Sequence, residues 1–121
     1  MQLQAEKGSG NYIQSAEADA VLVEGRRYRM PLIIASDRLV TDWQPPTLDA
    51  LTIESFAPAL ALDPEVILLG TGASHRFAGN RLMTAIMSRG VGFEVMANDA
   101  ACRTYNILNA EDRRVVVALL A

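Results

Sequence analysis

Residues 98–106 concentrate side chains that form specific hydrogen bonds or act as nucleophiles. A helix that only covers a sheet is usually rich in Leu, Ala, Glu and Lys, because these residues have high helix propensity. Several residues of this segment are mediocre helix formers, which indicates a surface or a pocket as well as a structural helix. The residues concerned are Cys102, Arg103, Thr104, Tyr105 and Asn106, preceded by Asn98.

Arg103 and Asn106 stand three residues apart, so a helix would place them on one face. Arg103 could clamp a carboxylate or phosphate with two parallel hydrogen bonds. It could equally form a structural ion pair, for which the acidic residues Glu94, Glu111 and Asp112 are available. Asn106 could equally hydrogen-bond the backbone of a neighbouring loop. Tyr105, with Ala101 and Leu108, is expected to pack on a sheet.

The sequence Gly70-Thr71-Gly72 follows an apolar strand pattern. Ligand sites of open α/β sheets gather at the carboxyl ends of strands, and glycines there allow backbone N–H groups to face an anion. The segment is neither a Walker loop nor a GxGxxG dinucleotide turn, and no Lys follows it. A tight turn that requires positive φ is the alternative interpretation.

Cys102 and His75 raise the question of a nucleophilic dyad, since the chain has one cysteine and one histidine. A thiolate nucleophile needs a base and an orienting group in contact with it. The first turn of a helix would lower the pKa of Cys102, but a lone Cys between Ala101 and Arg103 favours a small buried packing residue. One Cys and one His do not supply a zinc site, so no metal and no cofactor is predicted.

The first half of the chain is rich in predicted strands. Residues 12–24 have the pattern of a hairpin, residues 27–34 that of one strand running from a sheet edge to the interior, and residues 39–43 that of a short strand. The prolines Pro45 and Pro46 end this section, because neither can donate to a strand ladder.

From residue 52 onward helices and strands alternate. Thr52 or Ser55 is predicted to cap a helix that ends near residue 62, Asn80 to cap the next helix, and Asn98 or Asp99 to cap the last. Alternation of this kind is typical of an α/β sheet. The predicted strands are 65–69, 92–96 and 113–120, and the predicted helices between them are 80–89 and 99–109. The direction of the last strand stays open.

Composition sets the broad class of the protein. The 121 residues fit a single domain, 1–121, with 50% hydrophobic and 21% charged residues. A net charge of −3 gives no basic field for nucleic acid, and the run Arg26, Arg27, Arg29 fits the solvent side of a strand. The single cysteine, the absence of a signal-peptide pattern, and apolar runs all well below ~20 residues predict a cytoplasmic protein without a membrane span.

Four motifs carry a resemblance to a known family. They are VILLGTG at 66–72, GVGFEVM at 90–96, AACRTYNIL at 100–108 and the arginines 113–114. Together they resemble the Mth938-like family, a domain of unknown function whose relatives include a mitochondrial complex I assembly factor. The resemblance implies a three-layer α/β domain, in which a central mixed sheet carries helices on its faces and an additional N-terminal β-hairpin.

The chain departs from the family at one place beside the predicted site. Family members often carry Asp-Thr after the EVM strand, where this chain has Ala97-Asn98. Asn keeps a side-chain acceptor at a predicted N-cap. The loss of Asp argues against chemistry by a carboxylate at position 97.

Two functions from different classes follow. The first is a small non-catalytic domain that binds a protein partner, as the resemblance to an assembly factor implies. The alternative is an enzyme or sensor that holds a small anionic ligand in a shallow cleft, since the turn and the helix start should emerge at one sheet edge. The candidate binding residues are Gly70, Thr71, Gly72, Asn98, Arg103 and Asn106.

Overall fold

The chain builds two β-sheets, and the computed structural model describes residues 10–121. The larger sheet has five strands in the order β5-β4-β8-β6-β7. The central strand β8 runs parallel to β6 and antiparallel to β4. The strands are β4 Leu32–Ala35, β5 Arg38–Val40, β6 Val66–Gly70, β7 Gly92–Met96 and β8 Val115–Leu119.

The smaller sheet is an antiparallel meander of three strands, β1 Ile13–Ala16, β2 Ala20–Val23 and β3 Arg26–Arg29. It confirms the predicted hairpin. The prediction of one strand over 27–34 is wrong, because β3 and β4 belong to different sheets. Pro31 lies between them and has no N–H to continue a ladder, so the chain changes sheet at this residue.

Three α-helices and two 3-10 helices complete the fold of residues 10–121. They are the 3-10 helices Leu48–Ala50 and Ile53–Phe56, then α1 Ala57–Leu60, α2 Asn80–Met87 and α3 Asn98–Ala110. The helix predicted to start at Thr52 or Ser55 is therefore a 3-10 helix followed by a single α-turn, with Pro58 in the first turn of α1. Asn80 is the first residue of α2 and not its cap, since Gly79 precedes the helix without a side-chain capping bond.

Hydrophobic cores on both faces of the larger sheet make three layers. Along β8, Val117 belongs to the core under α3 and the small sheet, whereas Val116 belongs to the core on the opposite face. The opposite core also holds Trp43, Phe56 and Phe93, and the rings of the two phenylalanines meet edge-to-face at 5.7 Å. Burial on both faces explains why β6 and β8 have almost continuously apolar sequences.

The order of the strands confirms the predicted α/β class. The segments predicted as strands at 65–69, 92–96 and 113–120 lie side by side in the larger sheet, as β6, β7 and β8. The structure also defines the direction of the last strand, which the sequence left open. This strand, β8, runs parallel to β6, with Val66 opposite Val115. The carboxyl ends of β6, β7 and β8 consequently share one edge of the sheet.

Two side chains of α3 connect this helix to the start of the small sheet. The amide of Asn106 accepts a hydrogen bond from Ile13 N at 3.0 Å and donates one to Ile13 O at 2.8 Å. The hydroxyl of Tyr105 donates to Asn11 O at 2.8 Å. Asn106 is 1% exposed, so its amide extends the backbone bonding of β1 inside the core.

We expect Asn106→Ala to lower the free energy of unfolding by about 2–4 kcal/mol, because two buried backbone groups of Ile13 would lose their partner. Urea denaturation followed by Trp43 fluorescence measures this change. Hydrogen exchange at Ile13 should accelerate more than exchange in β6. Ile107→Ala, an exposed change on the same helix, is the control, and equal stability of the two variants would contradict the assigned role.

Candidate functional site

The loop after β6 and the start of α3 meet at the carboxyl edge of the larger sheet. We use the term carboxyl edge for the ends of β6, β7 and β8 with residues 71–79 and 120–121. Backbone bonds join the three strand ends: Thr71 N donates to Met96 O at 2.9 Å, Asn98 N to Gly72 O at 2.8 Å, and Leu120 N to Gly70 O at 2.9 Å. The expectation that the turn and the helix start emerge together therefore holds.

The side chain of Asn98 connects the strand ends instead of capping its own helix. Its Oδ1 accepts from Gly72 N at 3.0 Å, and its Nδ2 donates to Leu120 O at 2.7 Å. Asn98 is the first residue of α3, and the cap position belongs to Ala97, which makes no side-chain bond. The predicted capping role of Asn98 is wrong, because the loop and β8 use its amide.

The two glycines of the loop have steric reasons to be glycine. A Cβ atom at Gly70 would overlap Oδ1 of Asn98. Gly72 has a φ of +103°, a conformation that L side chains rarely adopt. The alternative interpretation of this segment as a tight turn with positive φ fits these observations.

Several N–H groups that could face an anion at this edge are already bonded within the protein. Thr71, Gly72 and Asn98 all donate through their backbone N–H, as described above. In the first turn of α3, Ala100 N donates to Asp99 Oδ1 at 2.8 Å and Ala101 N to Ala97 O at 2.9 Å. This arrangement gives no support to the anion-binding alternative.

Arg103 and Asn106 stand apart from that arrangement. Arg103 pairs with Asp99, one turn earlier on α3, with 3.8 Å between Nη1 and Oδ2 and both side chains half exposed. Asp99 was not among the partners expected from the sequence. Asn106 faces β1, where both ends of its amide are bonded. The structure thus brings Gly70, Thr71, Gly72 and Asn98 together but directs Asn106 elsewhere.

A depression on the small-sheet side of the loop is acidic. It has a volume of about 310 Å³, and its charged lining residues are Glu17 and Asp99. Gly72, Ala73 and Asn98 form part of its wall. Glu17 pairs with Arg27 and Asp99 with Arg103, and no basic side chain of residues 10–121 lines the depression that could hold an anionic ligand.

A second depression, on the other side of the loop, is mainly apolar. We call it the proline depression, a volume of about 380 Å³ in which Thr71 and Arg76 are the polar members of the loop. The hydroxyl of Thr71 accepts from Arg76 N at 3.0 Å and donates to Ser74 O at 2.8 Å, which fixes the loop. Its apolar wall consists of Pro31, Pro45, Pro46, Leu48 and Leu120.

Phe77 projects from the same loop and is 70% exposed. The sequence analysis singled out neither Arg76 nor Phe77. A usable signal was present, because an aromatic residue beside an arginine in a loop that follows the carboxyl end of a strand is typical of a contact surface. Pro45 and Pro46 were noted only as strand-ending residues, since nothing local shows which surface they line.

Cys102 is a packing residue, as the sequence favoured. Its side chain is fully buried in the core under α3, and burial raises the pKa of the thiol to about 12, with a smaller contribution from the charge of Asp99. His75 lies exposed in the loop of the carboxyl edge. The sequence suggested that the helix dipole would lower the pKa of Cys102. Desolvation of the buried thiol outweighs that effect.

The arrangement of residues 10–121 also bears on metal sites and membrane spans. No group of three or more His, Cys, Asp or Glu side chains in this range is arranged to hold a metal ion. No helix in the same range is long and apolar enough to cross a membrane.

Residues 13–120 match the family described as "Protein of unknown function (DUF498/DUF598)". The chain belongs to this family. A solved structure of a Mth938-like domain from Bordetella pertussis is 28% identical and superimposes with a TM-score of 0.78, covering 99% of this chain and 92% of that one. The NMR structure of a family relative from Xanthomonas campestris is 36% identical, with a TM-score of 0.82 over 97% of this chain and 89% of the other. The predicted Mth938-like fold is confirmed.

Relatives of this family member carry two different descriptions. The "13 kDa major membrane protein" of Francisella tularensis subsp. holarctica (strain LVS) is 34% identical over 90 residues, or 73% of this chain and 72% of that protein. The human "NADH dehydrogenase [ubiquinone] 1 alpha subcomplex assembly factor 3" is 28% identical over 120 residues, 98% of this chain. The match spans 65% of the human protein, so part of that relative has no counterpart here.

We expect Asn98→Ala to cost about 2–4 kcal/mol of unfolding free energy, because Gly72 N and Leu120 O would each lose a buried partner. Asn98→Asp should not restore stability, since a carboxylate cannot donate to Leu120 O. Asp99→Ala is the matched control and should cost less than about 1 kcal/mol, because it loses a half-exposed ion pair. Thermal and urea unfolding of the three variants measure these differences, and a stable Asn98→Ala protein would refute the bridging role.

Cys102 should react slowly with a thiol reagent in the native protein and rapidly after denaturation, because the thiol is buried and protonated. Cys102→Ala should cost about 1 kcal/mol of stability.

The pKa of Cys102 is higher in the folded protein than in the unfolded chain. The stability that the protonated thiol contributes is therefore present below pH 9 and is lost as pH rises from 9.0 towards about 12. The wild-type protein should therefore lose more stability than Cys102→Ala across that range, and parallel pH profiles would contradict this assignment.

Proposed function

We propose that this protein is a protein-binding domain that assists the assembly of a larger complex and contacts its partner through the carboxyl edge. The observation that carries the proposal is the 70% exposure of Phe77 on a loop whose base is held by hydrogen bonds. Large aromatic side chains are enriched among the residues that dominate binding energy at protein interfaces.

The way the loop is held makes it suited to binding. Asn98 fixes Gly72 at the start of the loop, and the hydroxyl of Thr71 bonds both Ser74 O and Arg76 N. A preorganised loop loses less conformational freedom on association, so more of its contact energy remains as affinity. Phe77 follows Arg76, which lines the proline depression together with Pro45 and Pro46, and its exposed ring would then act as an anchor.

Asn98, Thr71 and Cys102, which the sequence offered as candidates for binding or chemistry, have structural roles, and this favours binding over chemistry. The amide of Asn98 and the hydroxyl of Thr71 are occupied by backbone groups, and the thiol of Cys102 is buried and protonated at neutral pH. A catalytic nucleophile needs an accessible, activated atom. The role is that of a non-catalytic binding domain.

The human relative, described as an assembly factor of NADH dehydrogenase, suggests the kind of partner. By analogy we infer that the partner is a subunit, or a second assembly factor, of a respiratory complex. The match to 65% of the relative's length makes this an inference for the shared domain only. We place the role in the cytoplasm, as composition predicted.

We expect Phe77→Ala to reduce retention of the native partner at least tenfold, equivalent to about 1.4 kcal/mol, because an anchor side chain is removed. The measurement is affinity purification from the native host after cross-linking, with quantitative mass spectrometry. Ile107→Ala is the control, since Ile107 is 51% exposed on α3 and away from the carboxyl edge. Equal retention by both variants, with unchanged thermal unfolding, would overturn the assignment of this surface.

A further inference from the structure

Charge is unevenly distributed along this acidic protein. The chain carries 14 acidic and 11 basic residues, yet residues 66–93 contain three arginines, one histidine and no Asp or Glu. The three arginines are Arg76, Arg81 and Arg89. Arg81 and Arg89 border depressions that Glu54 also lines, so a carboxylate lies near both. Arg76, at the carboxyl edge, lines a depression without an acidic side chain.

Arg76 also differs from the arginines that pair within the protein. Carboxylates within 4.0 Å are recorded for Arg27, Arg29, Arg103, Arg113 and Arg114. Within residues 10–121 no such ion pair involves Arg76. The backbone N–H of Arg76 donates to the hydroxyl of Thr71, and this bond fixes the backbone position from which the Arg76 side chain extends. Arg76 is exposed to solvent. A positioned guanidinium beside an apolar wall thus lacks a carboxylate partner in the described part of the chain.

We propose that Arg76 and the proline depression bind a segment of the partner protein in which an acidic residue stands next to a large apolar residue. The carboxylate would take two parallel hydrogen bonds from the guanidinium of Arg76. The apolar side chain would enter the depression of about 380 Å³ against Pro45 and Pro46. This inference rests on the proposed function and specifies the chemistry of the partner.

The chemistry of the depression favours a protein segment over other occupants. A small anion such as phosphate would gain nothing from the proline-rich wall. An anionic membrane surface is recognised by clusters of several cations, whereas Arg76 is the one cationic side chain among the residues lining this depression. The apolar wall next to Arg76 excludes water and so strengthens an ion pair between Arg76 and a carboxylate of the partner. This environment suits an acidic residue that stands within an apolar sequence.

Selection from a phage-displayed library of random peptides tests this inference on the full-length protein. We expect the wild-type protein to enrich peptides in which Asp or Glu adjoins Leu, Ile or Phe. Synthetic copies of these peptides should bind Arg76→Glu at least tenfold more weakly, with Arg76→Gln intermediate. Arg38→Glu is the matched control. Arg38, on β5, is exposed and pairs with Ala35 of β4, at the end of the larger sheet opposite the carboxyl edge. It should bind the peptides as the wild type does.

Four outcomes of the binding experiments would overturn the inference. The first is that the selected peptides show no acidic enrichment, and the second is that they bind Arg76→Glu as well as the wild type while thermal unfolding is unchanged. The third is that inorganic phosphate displaces the peptides at comparable affinity. The fourth is Arg76-dependent binding to phosphatidylserine vesicles in place of the peptides. A dimer that Arg76→Glu dissociates, detected by light scattering, would assign the surface to a second copy of the chain and would also overturn it.

The outcomes separate this inference from the proposed function. If Phe77→Ala loses the native partner but no acidic peptide is selected, partner binding at the carboxyl edge stands and the acidic chemistry fails. If acidic peptides bind through Arg76 while Phe77→Ala retains every native partner, the peptide site stands and the proposed use of Phe77 fails.

Discussion

The side-chain amide of Asn98 is the interaction on which the carboxyl edge depends. It accepts from Gly72 N and donates to Leu120 O, so one buried group joins the loop after β6 to the end of β8. The same side chain occupies the space that a Cβ atom at Gly70 would need. Because the loop is held at its base, Arg76 and Phe77 begin from a defined backbone position, and a binding surface can form on a segment without secondary structure.

Helix α3 connects the layers of the domain through its polar residues. Near its start Asn98 bonds the strand ends, and two turns later Asn106 bonds Ile13 of the small sheet. Tyr105 and Cys102 fill the core between them. Asn98, Cys102, Tyr105 and Asn106, which suggested chemistry from the sequence, therefore help to assemble the three layers. The two amides are bonded because a buried polar group without a partner is destabilising.

The surface proposed for contacts lies at the carboxyl edge, on the two sides of the loop that follows β6. The acidic depression near Glu17 and the proline depression near Arg76 flank the same loop. In the proposed binding mode an acidic partner segment would contact the side that carries Arg76, because no basic side chain in the described part of the chain lines the other depression. A small domain can in this way select a partner without an enzyme-like pocket.

The sequence by itself determined the α/β class, the positions of β6, β7, β8 and α3, and the family, because these follow from local periodicity and from motifs contiguous in the chain. Only the tertiary structure decided the separation of β3 from β4, the direction of β8, and the roles of Asn98 and Asn106. The physical reason is distance along the chain. Asn98 bonds a residue 26 positions away and Asn106 one 93 positions away, so no local pattern distinguishes a buried bridging amide from an exposed ligand-binding one.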